Sequence, residues 1–422
     1  MPAHTRSCRM RCAYLVCGLL VWLLPAMGMA GPLFPSPARE ILLNGRPAPM
    51  TSMIQGALSN RHQEHLWVTP DFGLHVLIAG SKRLQRGLNV FSSQDLGWSW
   101  TPTLEISATG ARPKADLLYQ NGRLHLLYPA VDASLMYATA VQAGDGAWQL
   151  EASQVLIPAT ESFRAQRATL AFDVMGRLWV AFTELNAQTG QSRIRVGLRS
   201  EDDVFRWLDT DFGRFSRSER KSARILTLGT SMVLLYTDGG SAHSSKYRLN
   251  LSYCPMLEDP ETWNHVQLFD YTADDGLKDR HGAHFNAVVD SMQQVQMVTV
   301  SNGKLLHLRW SPLDPLGAVR IRRLGASSPY MQIATTADGR LYIASSANPR
   351  PYHDVVRLLR SDDNGSSFTF DRYLLFEPEH NLGKARLEMP ASLPWGFPAD
   401  FPPVLRQVET AQGTFTFVLF LD

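Results

Sequence analysis

Short apolar runs, each introduced by a tight turn, return along this chain at intervals of roughly fifty residues. Gly73 precedes LHVLIA, Gly122-Arg123 precede LHLLY, and Gly176-Arg177 precede LWVAF. Gly229 stands before MVLLYT, Gly339-Arg340 before LYIAS, and Gly413-Thr414 before FTFVLF, with a weaker copy in VQMVTV from Val295 to Val300. The runs are rich in β-branched and aromatic residues, and no long segment of helical period interrupts them, so they read as strands. Self-similarity at this spacing marks stacked or radial repeats of one supersecondary unit.

Each repeat carries a second signature downstream. Ser93-Gln94-Asp95-Leu96-Gly97-Trp98-Ser99-Trp100 fits S-x-D-x-G-x-[S/T]-[W/F], and Ser361-Asp362-Asp363-Asn364-Gly365-Ser366-Ser367-Phe368 fits it again. Degraded versions lead to Trp148, Trp207 and Trp263 at compatible spacing. The chemistry is that of a turn. Ser and Asp side chains bond nearby backbone amides, glycine supplies a positive φ, and the final aromatic fills space between sheets. Asp95 and Asp363 are therefore read as turn residues, not as catalytic or calcium-binding carboxylates.

On these residues the stretch 64–376 resembles the Asp-box (BNR-repeat) propellers of the sialidase-like superfamily. The resemblance implies an all-β propeller of four-stranded blades around a central channel. Seven apolar hairpins imply seven blades, or six if Val295–Val300 belongs to a loop. The last hairpin, from Val404 to Asp422, lacks outer strands, so residues 31–60, with REILLN at 39–44, are expected to close the ring by supplying them. Such closure would leave no sheet edge exposed. Residues 31–422 form one domain in this reading.

The ends and the composition add to this. Arg6, Arg9 and Arg11 precede an apolar run from Ala13 to Leu24, then Pro25 and Gly28-Met29-Ala30. This is the layout of a secretory signal peptide over residues 1–30, too short in its apolar part to span a bilayer. The expectation is a secreted or periplasmic protein with no membrane association after cleavage. Cys8, Cys12 and Cys17 would leave with the signal, so Cys254 has no intrachain partner and reads as a buried thiol. The signal holds three of the 41 basic residues and none of the 39 acidic ones, which leaves the mature chain near neutrality. Overall charge gives no reason to expect nucleic acid. No motif calls for a cofactor or a metal, and the chain is expected to be monomeric.

Candidate chemistry gathers where inner strands begin. His65, Arg112 with Lys114, Arg167, Arg224, His284, Tyr330 and Arg406 stand there. Cationic, imidazole and phenol groups around a channel suit an anionic ligand, and carboxylate above all. Arg112, Arg167, Arg224, His281 and Arg350 are the expected substrate-binding residues. Two cleavage chemistries fit. Some Asp-box propellers resemble lyases of uronate polymers, and β-elimination would use His284 and Tyr330 for proton transfer. Retaining or inverting hydrolysis would need paired carboxylates, for which Asp132, Glu184 and Asp354 on strand-connecting loops are the candidates, whereas sialidases use a Tyr–Glu nucleophile pair with an Asp acid/base. The F-R-I-P signature of sialidases is absent, its nearest string being Phe163-Arg164-Ala165-Gln166. The expected partner is an acidic glycan, which the propeller recognises with or without cleaving it; a non-catalytic protein- or glycan-binding scaffold is the alternative.

Overall fold

The computed structural model describes residues 53–419 apart from 56, 59, 61, 81–86, 98, 108, 110–113, 200–203, 210–211, 213–220, 239–247, 256–258, 270–283, 302, 315–316, 328–329, 348–354, 375–385, 399–401 and 411–412. Among them no residue is helical. Strand β1 (Met53–Gln55) comes first. The first blade holds β2 (Leu66–Val68), β3 (Leu74–Ala79), β4 (Leu88–Ser93) and β5 (Thr101–Ile106). The second holds β6 (Asp116–Gln120), β7 (Arg123–Pro129), β8 (Leu135–Gln142) and β9 (Trp148–Ile157). The third holds β10 (Phe163–Phe172), β11 (Leu178–Asn186), β12 (Ser192–Arg199) and β13 (Phe205–Trp207). The fourth holds β14 (Ala223–Leu228), β15 (Ser231–Asp238), β16 (Arg248–Cys254) and β17 (Asn264–Phe269). The fifth holds β18 (Phe285–Val289), β19 (Val295–Ser301), β20 (Lys304–Trp310) and β21 (Arg320–Ala326). The sixth holds β22 (Met331–Thr336), β23 (Leu341–Ala347), β24 (Val355–Ser361) and β25 (Thr369–Leu374). The remaining strands are β26 (Arg386–Glu388), β27 (Ser392–Leu393), β28 (Val404–Thr410) and β29 (Gly413–Leu419).

These six blades are antiparallel meanders of consecutive strands, and in the sixth the short β27 adds a parallel fifth strand beside β22. The closing sheet is different. Its order is β26-β28-β29-β1, so both ends of the chain contribute to it. The N-terminal strand pairs Met53 with Phe417 and Gln55 with Phe415, and it covers the outer edge of the terminal hairpin. The sequence pattern needs correction on two points. Blades of consecutive strands number six, not seven, because the terminal hairpin does not begin a blade of its own. Its inner strand is β26, which places Arg406 on the second strand of the sheet rather than at the start of an inner one. The expected closure by N-terminal strand material is met by β1 on the outer edge of β29, and REILLN lies outside the described residues. The weak copy at Val295–Val300 is no loop: it is β19, paired on both sides.

The core is distributed. Seven buried apolar clusters each lie between two neighbouring sheets. Trp179, Phe212 and Trp263 sit between the third and fourth blades, and Leu66, Leu74 and Leu405 lie between the first blade and the closing sheet. A ring in which every sheet buries both faces has no free end, which is the physical reason for joining the termini.

The two complete S-x-D-x-G turns have the same geometry. Asp95 Oδ1 accepts from the Ser99 amide at 2.9 Å and from the Ser93 hydroxyl at 2.7 Å, while Oδ2 accepts from the Ser99 hydroxyl at 2.6 Å. Asp363 repeats this with Ser361 and Ser367. Those bonds, that from the Ser367 hydroxyl foremost, hold the Asp363 carboxyl down to about 2. Gly97 and Gly365 have φ of 91° and 75°, the left-handed region where glycine is unstrained. The Trp100 indole donates to the Gly97 carbonyl at 3.0 Å and packs on the cluster beneath. Asp95→Ala is expected to lower stability by about 1–2 kcal/mol, read as a drop in urea midpoint with an unchanged m-value.

Candidate functional site

Side chains near the axis first of all tie blades together. Asp116, opening β6, accepts from the Glu64 amide of the first blade at 2.7 Å and from the Leu170 amide of the third at 2.9 Å. Thr169 donates to the Ala223 carbonyl of the fourth blade at 3.2 Å. Asn286 accepts from the Ile333 amide of the sixth at 3.2 Å, and Gln332 donates to the Leu387 carbonyl of the closing sheet at 3.0 Å. Glu388 accepts from the His65 amide at 3.2 Å and links the closing sheet to the first blade. Buried backbone amides need partners, and these bonds supply them where neighbouring sheets diverge.

Beside these bonds lies a buried charge cluster. Arg224 pairs with Glu64 and donates to the His62 carbonyl. Burial pushes the Asp116 carboxyl up to about 7, against the pull of Arg224. Burial, reinforced by Glu64, also raises Glu388 well above the usual carboxylate range. His65 Nδ1 lies 3.2 Å from Glu388 Oε2, and burial lowers the imidazole to about 4. The His62 ring stacks on Phe285 with centroids 5.7 Å apart. Burial, then Arg167 and Arg224, hold it well below its ordinary value.

A cavity of about 390 Å³ extends from this cluster. Glu64, Asp116 and Arg224 line its inner end, and Asp173, Thr227, Thr335 and Ser392 line it further out. Those outer residues stand at the finishing ends of inner strands, so the cavity runs toward the face that carries the S-x-D-x-G turns. Sequence reasoning had pointed to the opposite face.

The expected site residues are only partly brought together. His284 and Tyr330, next to inner strands of the fifth and sixth blades, have ring centroids 6.4 Å apart. His284 is buried and Tyr330 half-buried. Arg167 sits at a β-bulge with φ of 55°, and its Nη1 donates to the Lys221 carbonyl at 3.0 Å and the Ser222 hydroxyl at 3.3 Å. Arg224 is bound as described, so neither of these two is a ready anion receptor. Asp132 and Glu184 do not meet at the axis. Asp132 caps its own turn through the Ser134 amide and hydroxyl, each at 2.9 Å. Glu184 pairs across strands with Arg193 at 2.6 Å. Arg112, His281, Arg350 and Asp354 lie outside the described residues. Glu64, Asp116 and Glu388 were missed. The available signal was an acidic residue just before or within a short apolar inner strand, a position where an unpaired carboxylate would be costly.

With the geometry in place, comparison with known proteins adds the following. No family model matches the chain, and no curated protein matches it. Solved structures do. A crystal structure of the polysaccharide lyase Uly1 has a TM-score of 0.50 at 11% identity, covering 86% of this chain and 90% of that one. AofleA from Arthrobotrys oligospora has a TM-score of 0.50 at 9% identity, covering 79% and 90%. An alpha-L-arabinanase of Penicillium chrysogenum, complexed with arabinobiose, has a TM-score of 0.45 at 13% identity, covering 70% and 94%. At these identities the likeness shows the fold, a β-propeller.

Proposed function

We propose that this protein is an exported propeller that recognises an acidic glycan and cleaves it by β-elimination, with His284 and Tyr330 as the proton-transfer pair. One observation carries the reading. Of the described groups picked out for cleavage chemistry, only these two stand side by side, an imidazole and a phenol from neighbouring blades 6.4 Å apart. Elimination needs a base at the carbon next to the carboxylate and an acid at the leaving oxygen, and these two groups can share those roles. The likeness in fold to a polysaccharide lyase is consistent with that class of chemistry. Hydrolysis has less support, because Asp132 and Glu184 are bound to local partners. In the same reading residues 1–30 are a signal peptide, the mature chain is a secreted or periplasmic monomer, and its turns are those of an Asp-box propeller of sialidase-like kind.

The test is incubation of the mature chain with uronate polymers, sialosides and neutral polymers, following unsaturated product by ultraviolet absorbance. Uronate polymer is expected to yield product, and His284→Ala or Tyr330→Phe to lower kcat by about 10²–10⁴ with thermal midpoints retained. Saturated product from any polymer would replace elimination by hydrolysis. The engagement of Arg167 and Arg224 with protein partners favours one other reading, a propeller that binds without cleaving. Its signature is glycan binding with no product from any polymer.

A further inference from the structure

We propose that Trp395, with the Asp338–Arg340 pair beside it, forms a second carbohydrate-binding site for a neutral pyranose on the turn face of the sixth blade. The site is separate from the His284–Tyr330 pair, which stands near the opposite ends of the inner strands, and it goes beyond the proposed cleavage.

The indole is 76% exposed, the most exposed aromatic ring among the described residues. Its loop is built to hold it there. Ser392 and Leu393 pair in parallel with Thr335 and Thr336 of β22, which fixes the loop on one side. The Phe397 amide donates to the Pro394 carbonyl at 3.3 Å, and Gly396 takes φ of 75° to make the turn. Phe397 then packs edge-to-face on Phe72 with centroids 6.1 Å apart. The anchored loop thus presents a flat apolar ring to solvent at the wall of a polar cavity, the arrangement that a ligand with one apolar face can use.

A cavity of about 270 Å³ lies against the indole, lined by Thr336, Asp338, Arg340 and Tyr342 among others. That is the scale of one sugar residue, near the lower end of ligand pockets. Its polar wall is charged and fixed. Arg340 Nε lies 3.2 Å from Asp338 and 3.5 Å from Asp362. The Thr336 hydroxyl donates to Asp338 and is the first cause holding that carboxyl below its usual value. An apolar face beside a guanidinium–carboxylate pair matches a pyranose, whose C–H face stacks on indole while adjacent hydroxyls bond both charges. An apolar peptide side chain would leave that pair desolvated. Asp338 and Asp362 are matched by Arg340 and Arg360, so the wall has no unpaired cation to hold a uronate and suits a neutral ligand.

The experiment uses the mature chain labelled with fluorotryptophan, the Trp395 resonance being assigned from Trp395→Phe. Fluorine NMR titrations employ neutral gluco-, galacto- and xylo-oligosaccharides, with oligogalacturonate as the acidic control. A neutral oligosaccharide is expected to shift the Trp395 resonance saturably. Trp395→Ala is expected to weaken that binding about tenfold or more and Asp338→Asn to weaken it too, without change in thermal midpoint, since the ring is exposed. His284→Ala should leave this binding intact. A resonance unmoved by every neutral sugar, or full affinity in Trp395→Ala, would overturn the proposal. Loss of cleavage in His284→Ala with binding retained separates the two sites. Trp395 binding in a protein that cleaves no polymer leaves this site standing and removes the cleavage reading.

Discussion

Thermal unfolding of the mature chain is expected to shift to markedly lower temperature as the pH is taken from about 7 to about 5. Three buried imidazoles drive this. His65 and His75 are lowered to about 4 and His307 to about 3, burial being the first cause in each. His75 is held by the Ser92 hydroxyl at 2.7 Å and stacked on Trp67, and His307 contacts Gln296 Oε1 at 2.7 Å. In the unfolded chain these rings titrate near 6.5. Between about pH 6.5 and pH 4 the unfolded state therefore binds more protons, and stability falls as the pH falls. At pH 5 each contributes a loss of about 2 kcal/mol. Asp116 works the other way. Its folded value of about 7 lies above the unfolded 3.8, so the folded state holds a proton through that interval and gains as the pH falls. Glu388 shares that direction and His62 opposes it. Three histidines outweigh one aspartate by several kcal/mol, a large part of the 5–15 kcal/mol that stabilises a typical domain. Melting curves followed by circular dichroism across this range check it, and His307→Gln should flatten the acid limb. A melting temperature constant from pH 7 to pH 5 would mean that these rings are not held neutral.

The blade pattern was legible because it is local. The turns before β3, β7, β11, β15 and β23, and the hydrogen bonds of Asp95 and Asp363, each lie within a few residues of chain, so the sequence carries them in one window. The radial placement of side chains is not local. Arg224 and His65 look alike as polar residues at the starts of apolar strands. Arg224 finds Glu64 across 160 positions, and the His65 amide finds Glu388 across 323. Such partners meet only when the ring has closed. For the same reason the terminal hairpin was misplaced: β26 is three residues long, has no repeat signature and is joined to β28 through a proline-rich stretch. Strand position picks out His284 and Tyr330, whose rings lie 6.4 Å apart, whereas the carboxylates Glu64, Asp116 and Glu388 went unnoticed beside more conspicuous arginines. The exposed Trp395 had no signal in the repeat, since its loop lies outside the six blades.

Arg224→Met is expected to cost about 3–5 kcal/mol, because it leaves the buried Glu64 without its counter-charge. The Arg224 and Glu64 side chains are 6% and 11% exposed, and the Glu64 charge raises the affinity of Asp116 and Glu388 for protons. Without Arg224, Asp116 and Glu388 lose the cation that lowers them and hold their protons more tightly. The loss in stability would then be smaller at pH 5 than at pH 8, which urea titrations at the two values can measure. Glu64→Gln in the same chain should recover much of the loss, since a neutral pair has no charge to desolvate. That double variant also decides what Arg224 does for a ligand. Loss of glycan binding in Arg224→Met alone has two explanations, a missing anion contact and a loosened axis. If the folded double variant still binds acidic glycan, Arg224 belongs to the fastening of the blades. If it folds and fails to bind, the guanidinium reaches the ligand through the cavity it lines, and a carboxylate-bearing sugar must compete with Glu64 for it.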